Sequence, residues 1–312
     1  YYGYGILGYI YYNQQLTKRA SISNNIVDAQ TNNTLQAGIY GYCYSNNQQV
    51  DVCYNTIYTS NYAGGTITGT KYGMYLYYVD GKINNNNIVC RDNGGTTYGI
   101  YDYYNTASYS NNNFHDGGLG CTFIFGARNG SPFNDLAAYK TNFADANGMN
   151  IDPKLKNVAG QNYQPTSFSF VNKGTPTSGF TTDFANVTRN TTNPDVGALE
   201  FYVDVNLQRL YFQGVNVCGG YKEKVTVTVR NATSDTIRNV PLKYTVTGKS
   251  PVKQSVPKVA PNDTAQFTFT QLAEFNGSGA NTIDVELDGS DDNTTNNILS
   301  KSLNVTPSPA GF

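Results

Sequence analysis

Residues 1–201 show no apolar spacing of three or four; short runs of β-branched and aromatic residues are instead broken by Asn, Gly and Thr. That pattern predicts strands and tight turns and argues against helices. Four segments recur: Gly5-Ile6-Leu7-Gly8-Tyr9, Gly38-Ile39-Tyr40-Gly41-Tyr42, Gly73-Met74-Tyr75-Leu76-Tyr77 and Gly99-Ile100-Tyr101-Asp102-Tyr103. A second signature follows each one, at Asn24-Asn25-Ile26, Asn55-Thr56-Ile57, Asn86-Asn87-Ile88 and Asn112-Asn113-Phe114. The glycines are 33, 35 and 26 residues apart and the leading asparagines 31, 31 and 26, so the two signatures travel together. This period predicts a solenoid in which each turn buries its inner face against the next. Ile6, Ile39, Met74 and Ile100 are expected to point inward and stack. Asn24, Asn55, Asn86 and Asn112 are expected to occupy tight turns and to form a ladder of side-chain amides, a structural device and not a ligand site.

After Phe201 the pattern becomes strict alternation, as in Val225-Thr226-Val227-Thr228-Val229, Leu242-Lys243-Tyr244-Thr245-Val246, Ala265-Gln266-Phe267-Thr268-Phe269 and Ile283-Asp284-Val285-Glu286-Leu287. Period-two runs between polar turns predict about seven antiparallel strands from Val205 to Val305, each with one buried face, and hence a sandwich. The expected fold is therefore all-β, with domains over 1–201 and 202–312. A chain of 312 residues with 39% hydrophobic content suits two domains of unequal architecture.

Charge is sparse: 21 Lys and Arg stand against 22 Asp and Glu. There is thus no broad basic field to hold a phosphate backbone, and nucleic acid is not an expected partner. No run approaches the ~18 apolar residues that cross a bilayer, and the start of the chain carries no signal-peptide pattern. Because the chain opens inside a patterned segment, it is expected to be a piece of a longer polypeptide whose targeting signals lie elsewhere. The cysteines, Cys43, Cys53, Cys90, Cys121 and Cys218, lack CxxC spacing and a neighbouring His, so they read as buried thiols and not as a zinc site. Cys43 and Cys53 fall in one turn and are the candidates to pair in an oxidising compartment.

The Gly-Ile-Tyr and Asn-x-Ile repeats resemble those of pectate-lyase-like right-handed parallel β-helix surface proteins. The run Asn193-Pro194-Asp195-Val196-Gly197-Ala198-Leu199-Glu200-Phe201, with the stretch from Ile151 that leads to it, is similar to the closing turns and cap of such proteins from Bacteroidota. Residues 202–312 resemble CARDB-like immunoglobulin-type domains, through Val229 to Val246 and Asp292-Asn293-Thr294-Thr295-Asn296-Asn297. These likenesses imply a coil followed by a spacer module, and a secreted chain exported by a Bacteroidota-type (type IX) route. Asp235-Thr236-Ile237 and Asp263-Thr264-Ala265 are similar to an O-glycosylation signal of such proteins, which makes Thr236 and Thr264 candidate acceptors.

A β-helix raises the prospect of polysaccharide cleavage, which calls for metal-binding carboxylates with a base, or two carboxyls across the bond. Residues 1–199 contain no Glu, and Asp28, Asp51, Asp80, Asp92, Asp102 and Asp116 do not recur at one place in the repeat. His115 has no evident partner, and only Asp80, Asp102 and Arg91 offer a constellation that could meet across turns. No catalytic residue, cofactor or metal site is expected. The acidic loop Asp288-Gly289-Ser290-Asp291-Asp292 lacks EF-hand spacing and reads as an ordinary turn before it reads as a calcium site.

Tyrosine is the anomaly: of 27, 21 precede residue 110, and there is no Trp. If the residue after each Gly points inward, alternation turns Leu7 and Tyr9, Tyr40 and Tyr42, Tyr75 and Tyr77, and Tyr101 and Tyr103 outward as a two-column strip. Tyr9, Tyr40, Tyr42, Tyr75, Tyr77, Tyr101 and Tyr103 are accordingly the candidate contacts for glycans or other surface proteins. The competing reading is that the rings stabilise the sheet by stacking on one another. Three functions follow in order: a non-catalytic cell-surface adhesin or stalk, a carbohydrate-binding module, and a polysaccharide lyase or hydrolase.

Overall fold

Each repeat contributes one strand to each of three sheets, in which equivalent strands pair in parallel from one repeat to the next. The computed structural model describes residues 3–10, 19–30, 36–44, 48–61, 65–66, 68–212, 217–218, 222–275, 279–289 and 291–306. The first sheet contains Gly3–Ile10, Gln36–Cys43, Thr70–Tyr77, Thr96–Tyr103 and Thr122–Arg128, in that order, with Ser131–Phe133 closing its edge antiparallel. The second contains Ala20–Ser23, Gln48–Cys53, Lys82–Asn84 and Ser108–Ser110; the third, Ile26–Gln30, Thr56–Ser60, Asn87–Arg91 and Asn113–Asp116. Together they make a β-solenoid.

The corner between the second and third sheets is turned by Asn24, Tyr54, Asn85 and Asn111, with φ of 55°, 57°, 56° and 54°. Asn tolerates this left-handed backbone because its short side chain bonds locally. Inside the coil, Ile39, Met74 and Ile100 are fully buried one above another, and Ile6 packs against the same cluster. They face Val27, Ile57, Ile88 and Phe114 of the third sheet. The repeat glycine is required by that approach: a Cβ on Gly5, Gly38, Gly73 or Gly99 would lie 2.3, 2.4, 2.7 or 2.5 Å from Val27, Ile57, Ile88 or Phe114 respectively. Each buried aliphatic side chain contributes about 1.5–3 kcal/mol.

Residues 151–201 add no strand to these sheets, contrary to the expectation of further closing turns. They form straps that run back along the coil. The first begins beside the last turn, where Ile151 N donates to Asn113 Oδ1 at 2.9 Å, and ends with the Tyr163 hydroxyl on Asp28 of the first turn. The second follows the left-handed corner: Asn111 Nδ2 reaches Lys173 O at 2.8 Å, Asn85 Nδ2 and the Tyr54 hydroxyl reach Thr175 O at 2.8 Å, and Asn24 Nδ2 reaches Thr182 O at 2.8 Å. Pro153, Pro165, Pro176 and Pro194 remove ladder donors along this stretch, which suits it to docking through side chains.

The chain forms two compact units, one of Tyr1–Pro165 with Asn172–Phe201 and the other of Thr166–Val171 with Tyr202–Phe312. Thr166–Val171 thus lies with the second unit, where Phe168 and Phe170 are buried and Arg238 N donates to Thr166 O at 2.9 Å. That unit holds an antiparallel sheet of Val205–Tyr211, Thr226–Asn231 and Thr264–Thr268. A larger sheet orders Val217–Cys218, Ile298–Thr306, Gly279–Leu287, Ile237–Val246 and Val252–Val259, antiparallel except at its first pair. Val227, Val229, Leu242, Val246, Ile283 and Val285 are buried, as alternation requires. Among the described residues the single α-helix is Leu136–Phe143, and no helix is long and apolar enough to cross a membrane.

Candidate functional site

The outward face of the first sheet is paved with tyrosine. Tyr9, Tyr42, Tyr77 and Tyr103 stack with centroid separations of 4.8, 4.7 and 5.3 Å and interplanar angles of 21°, 5° and 13°. Tyr40, Tyr75 and Tyr101 form a second column, at 5.1 and 5.0 Å with angles of 10° and 6°; Leu7 holds its first-turn position. Two further columns, not anticipated from the repeat, flank these. Tyr72 stacks on Tyr98 at 5.5 Å and meets Tyr75 edge-on, and Tyr78 stacks on Tyr104 at 5.3 Å and meets Tyr77 edge-on.

This geometry decides what the face offers. Rings stacked along the coil cover one another's faces, so the surface presents ring edges and hydroxyls. Faces suited to lie flat on a sugar are engaged by the neighbouring turn. Burial together with neighbouring phenols raises Tyr40, Tyr72 and Tyr75 to a pKa of about 12, so the face is neutral over the physiological range.

A second ladder runs inside the coil. Asn25 Nδ2 donates to Asn55 Oδ1 at 2.9 Å, Asn55 Nδ2 to Asn86 Oδ1 at 2.9 Å, and Asn86 Nδ2 to Asn112 Oδ1 at 3.0 Å. The second amide proton of Asn55, Asn86 and Asn112 goes to Ile22 O, Val52 O and Ile83 O. The first rung of the ladder is therefore Asn25 and not Asn24. Nor do Asn55, Asn86 and Asn112 turn the corner; the residue before each one does. Strand register explains the slip, because Val27 aligns with Ile57, which places Asn25 opposite Asn55. Asn24 instead serves the strap, accepting from Arg189 Nη2 at 3.0 Å.

Arg189 is the centre of the strap. Its guanidinium lies 3.9 Å from the Tyr54 ring centroid and donates to Glu200 Oε2 at 3.1 Å and Gly197 O at 3.0 Å. Glu200 accepts in addition from Asn190 N and Asp195 N, and Asp195 accepts from Asn172 N and Phe201 N. The motif that resembles an end cap thus clasps the side of the coil.

The carboxylates and cations considered for catalysis are engaged separately. Asp102 points inward in the last turn, fully buried, and accepts from the Tyr109 hydroxyl at 2.8 Å and Arg128 Nε at 2.9 Å; burial raises its pKa. Arg91 donates to Gly117 O at 3.0 Å, and Asp80 pairs through its backbone register with Gln49. Asp92 is buried against Lys71, Thr59 and Thr97, a cluster that sequence reasoning missed. His115 does have a neighbour, Asp152 at 3.5 Å, and burial lowers its pKa. In the second unit, Asp291 accepts from Val205 N and Asn297 Nδ2, and Asp292 from Val203 N, so these carboxylates organise the acidic loop. Thr264 is exposed and Thr236 half-buried. Cys43 and Cys53 are free and buried, not paired; the side chain of Cys218 lies outside the described residues.

No family model and no curated protein sequence matches the chain. Solved structures similar to it include the CARDB domain of the PF1109 protein from Pyrococcus furiosus in complex with di-metal ions, 16% identical over 34% of this chain and 90% of that one, with a TM-score of 0.29. They also include DesR, a β-glucosidase from Streptomyces venezuelae in complex with D-glucose, 12% identical over 68% of this chain and 34% of that one, with a TM-score of 0.25. A β-glucosidase from Listeria innocua in complex with glucose is 14% identical over 36% of this chain and 18% of that one, with a TM-score of 0.22. Likenesses this slight establish no shared activity.

Proposed function

We propose that this chain is a non-catalytic, secreted cell-surface element, an adhesin segment or stalk. In this reading the coil is a stiff body that displays its tyrosine face, and the second unit is a CARDB-like, immunoglobulin-type sandwich that acts as a spacer. One observation carries the proposal: the tyrosine rings are stacked on one another from turn to turn, so the most unusual side chains of the sequence reinforce the coil. Pairs of this kind add about 0.5–1.5 kcal/mol each. The inner asparagine ladder acts in the same sense, and the buried carboxylates are bound to internal donors and cations. Bacteroidota origin and type IX export rest on the sequence resemblance alone.

A carbohydrate-binding role is the second reading, favoured by the exposure of Tyr9 and Tyr104, both at 49%, on the tyrosine face. A glycan array on the full chain and on a Tyr40→Ala/Tyr75→Ala/Tyr101→Ala variant separates the two. A stalk gives no tight glycan signal from either chain and a loss of stability in the variant. Tight binding that disappears in a variant still folded by circular dichroism makes the chain a binding module. Release of reducing ends or unsaturated products from any polysaccharide overturns both readings. Antibody labelling of intact producing cells tests surface location.

A further inference from the structure

Two of the cysteines meet across turns of the coil. Cys90, in the strand Asn87–Arg91, is fully buried, and Cys121, just ahead of Thr122–Arg128, is half-buried; they are 31 residues apart, yet their Sγ atoms lie 3.2 Å from each other. Strand pairing sets the approach. Asp116 aligns with Cys90, Gly117 N donates to Cys90 O at 2.7 Å, and the chain from Gly117 to Gly120 returns Cys121 against the buried sulfur. Gly118 and Gly120 in that return have φ of +71° and +105°, and Gly118, Leu119 and Gly120 are exposed, so the loop can yield.

We propose that Cys90 and Cys121 form a reversible disulfide that staples successive turns of the coil, made by exchange with a small-molecule disulfide. Cys121 is the attacking thiol, because it is the more exposed of the two and the hydrogen bond from Cys90 lowers its pKa. Its thiolate attacks one sulfur of the small disulfide; that S–S bond breaks, and the departing thiolate takes up the proton Cys121 lost. Cys90, already in place, then gives up its proton and attacks Cys121 Sγ, releasing the second small thiol. The two protein thiols are oxidised and the small disulfide is reduced to two thiols.

The alternative use of such a pair is a thiophilic cation, since the Asp116 carboxylate also lies within 4.8 Å of both sulfurs. Two thiolates on a tetrahedral zinc stand about 3.8 Å apart, given a Zn–S distance of about 2.3 Å. The observed 3.2 Å is tighter. Zinc also needs both sulfurs ionised, whereas the hydrogen bond that Cys90 donates to Cys121, burial and the neighbouring Asp92 hold Cys90 in its protonated form. A disulfide is neutral and suits the buried position. Cys43 and Cys53 are poor competitors, because burial raises them to about 11 and about 12.

The full chain is equilibrated in glutathione buffers of increasing oxidised fraction, quenched with an alkylating agent and mapped by peptide mass. Loss of two of the five thiols, with a Cys90–Cys121 cross-linked peptide that reducing buffer abolishes, is the expected result. The same cross-link should survive in Cys43→Ser/Cys53→Ser and vanish in Cys121→Ser. Full alkylation under the most oxidising buffer overturns the proposal, as does a cross-link mapped to another pair. Stoichiometric Zn²⁺ uptake that protects both thiols and is lost in Cys121→Ser overturns it as well.

Discussion

The Asn112 amide donates to the Asp145 carboxylate at 3.0 Å, and so the inner ladder ends on a group that only accepts. Asp145 also accepts from Asn111 N, Asn112 N and the Tyr139 hydroxyl of the helix that covers this end of the coil. Every amide upstream can then point the same way, nitrogen toward the later turn and oxygen toward the earlier one, without leaving a donor facing a donor.

An interior break in that ladder is expected to be costly. Asn86→Ala leaves Asn55 Nδ2 and Asn55 N without their acceptor, and Val52 O without its donor, in a dry interior. Each such group costs about 1–3 kcal/mol, so the variant should lose about 3 kcal/mol or more of unfolding free energy in urea. Asn25→Ala, at the half-buried open end, should lose about 1 kcal/mol. Equal losses at the two positions would mean that the ladder does not act as a directional chain.

The tyrosine columns give a parallel test on the outer face. Tyr75 stacks on both Tyr40 and Tyr101, and Tyr9 stacks on Tyr42. At about 0.5–1.5 kcal/mol per pair, Tyr75→Ala is expected to destabilise the coil by about 1–3 kcal/mol, and Tyr9→Ala by at least about 0.5–1.5 kcal/mol. Urea midpoints for both variants and for Tyr75→Phe decide it, since Phe keeps the ring and removes only the hydroxyl. If Tyr75→Phe is as damaging as Tyr75→Ala, hydroxyl contacts and not stacking hold the column.

How much of this was legible differs by residue. The inward row Ile6, Ile39, Met74, Ile100 and the outward tyrosines follow from period two alone. The first ladder rung slipped by one because Asn24-Asn25-Ile26 imitates the Asn-x-Ile text of later turns, while the three-dimensional register follows Val27. The straps were hidden for a different reason. Along the corner their contacts join side chains to carbonyls 62 to 158 residues away, as with Tyr54 and Thr175, and no periodicity encodes that. The Cys90–Cys121 meeting carried no periodic signal either, since the repeat at that turn is 26 residues and aligns Cys90 with Asp116, and Cys121 comes back to it only through Gly117 to Gly120.

Clasping by the second strap predicts a specific weak point at Gly197. Its φ is +95°, and a Cβ there would lie 2.6 Å from Thr56 Oγ1, the hydroxyl that receives Ala198 N. Gly197→Ala therefore combines backbone strain with a clash and is expected to cost about 2 kcal/mol. Limited proteolysis is the sharper readout: cuts should appear within Asn172–Phe201 before the parallel sheets are attacked. A variant cut first within the parallel sheets would show that the strap is not an independent clasp.

The raised phenols make the coil sensitive to alkali in a defined direction. Tyr40, Tyr72 and Tyr75 have folded pKa values of about 12 against about 10 when unfolded, because burial and neighbouring phenols oppose the phenolate. The native state thus binds their protons more tightly. Their contribution to stability is complete below pH ~10 and is lost as the pH climbs through about 12. The urea midpoint should hold steady up to about pH 10 and then fall. Absorbance at 295 nm, followed in native buffer and in urea, should show one group of phenols ionising near 10 in both, and a second group that ionises near 12 only in the folded protein. Tyr75→Ala should remove part of that second group. A single native transition near 10, with circular dichroism unchanged throughout, would mean that the stacked columns exert no hold on their protons.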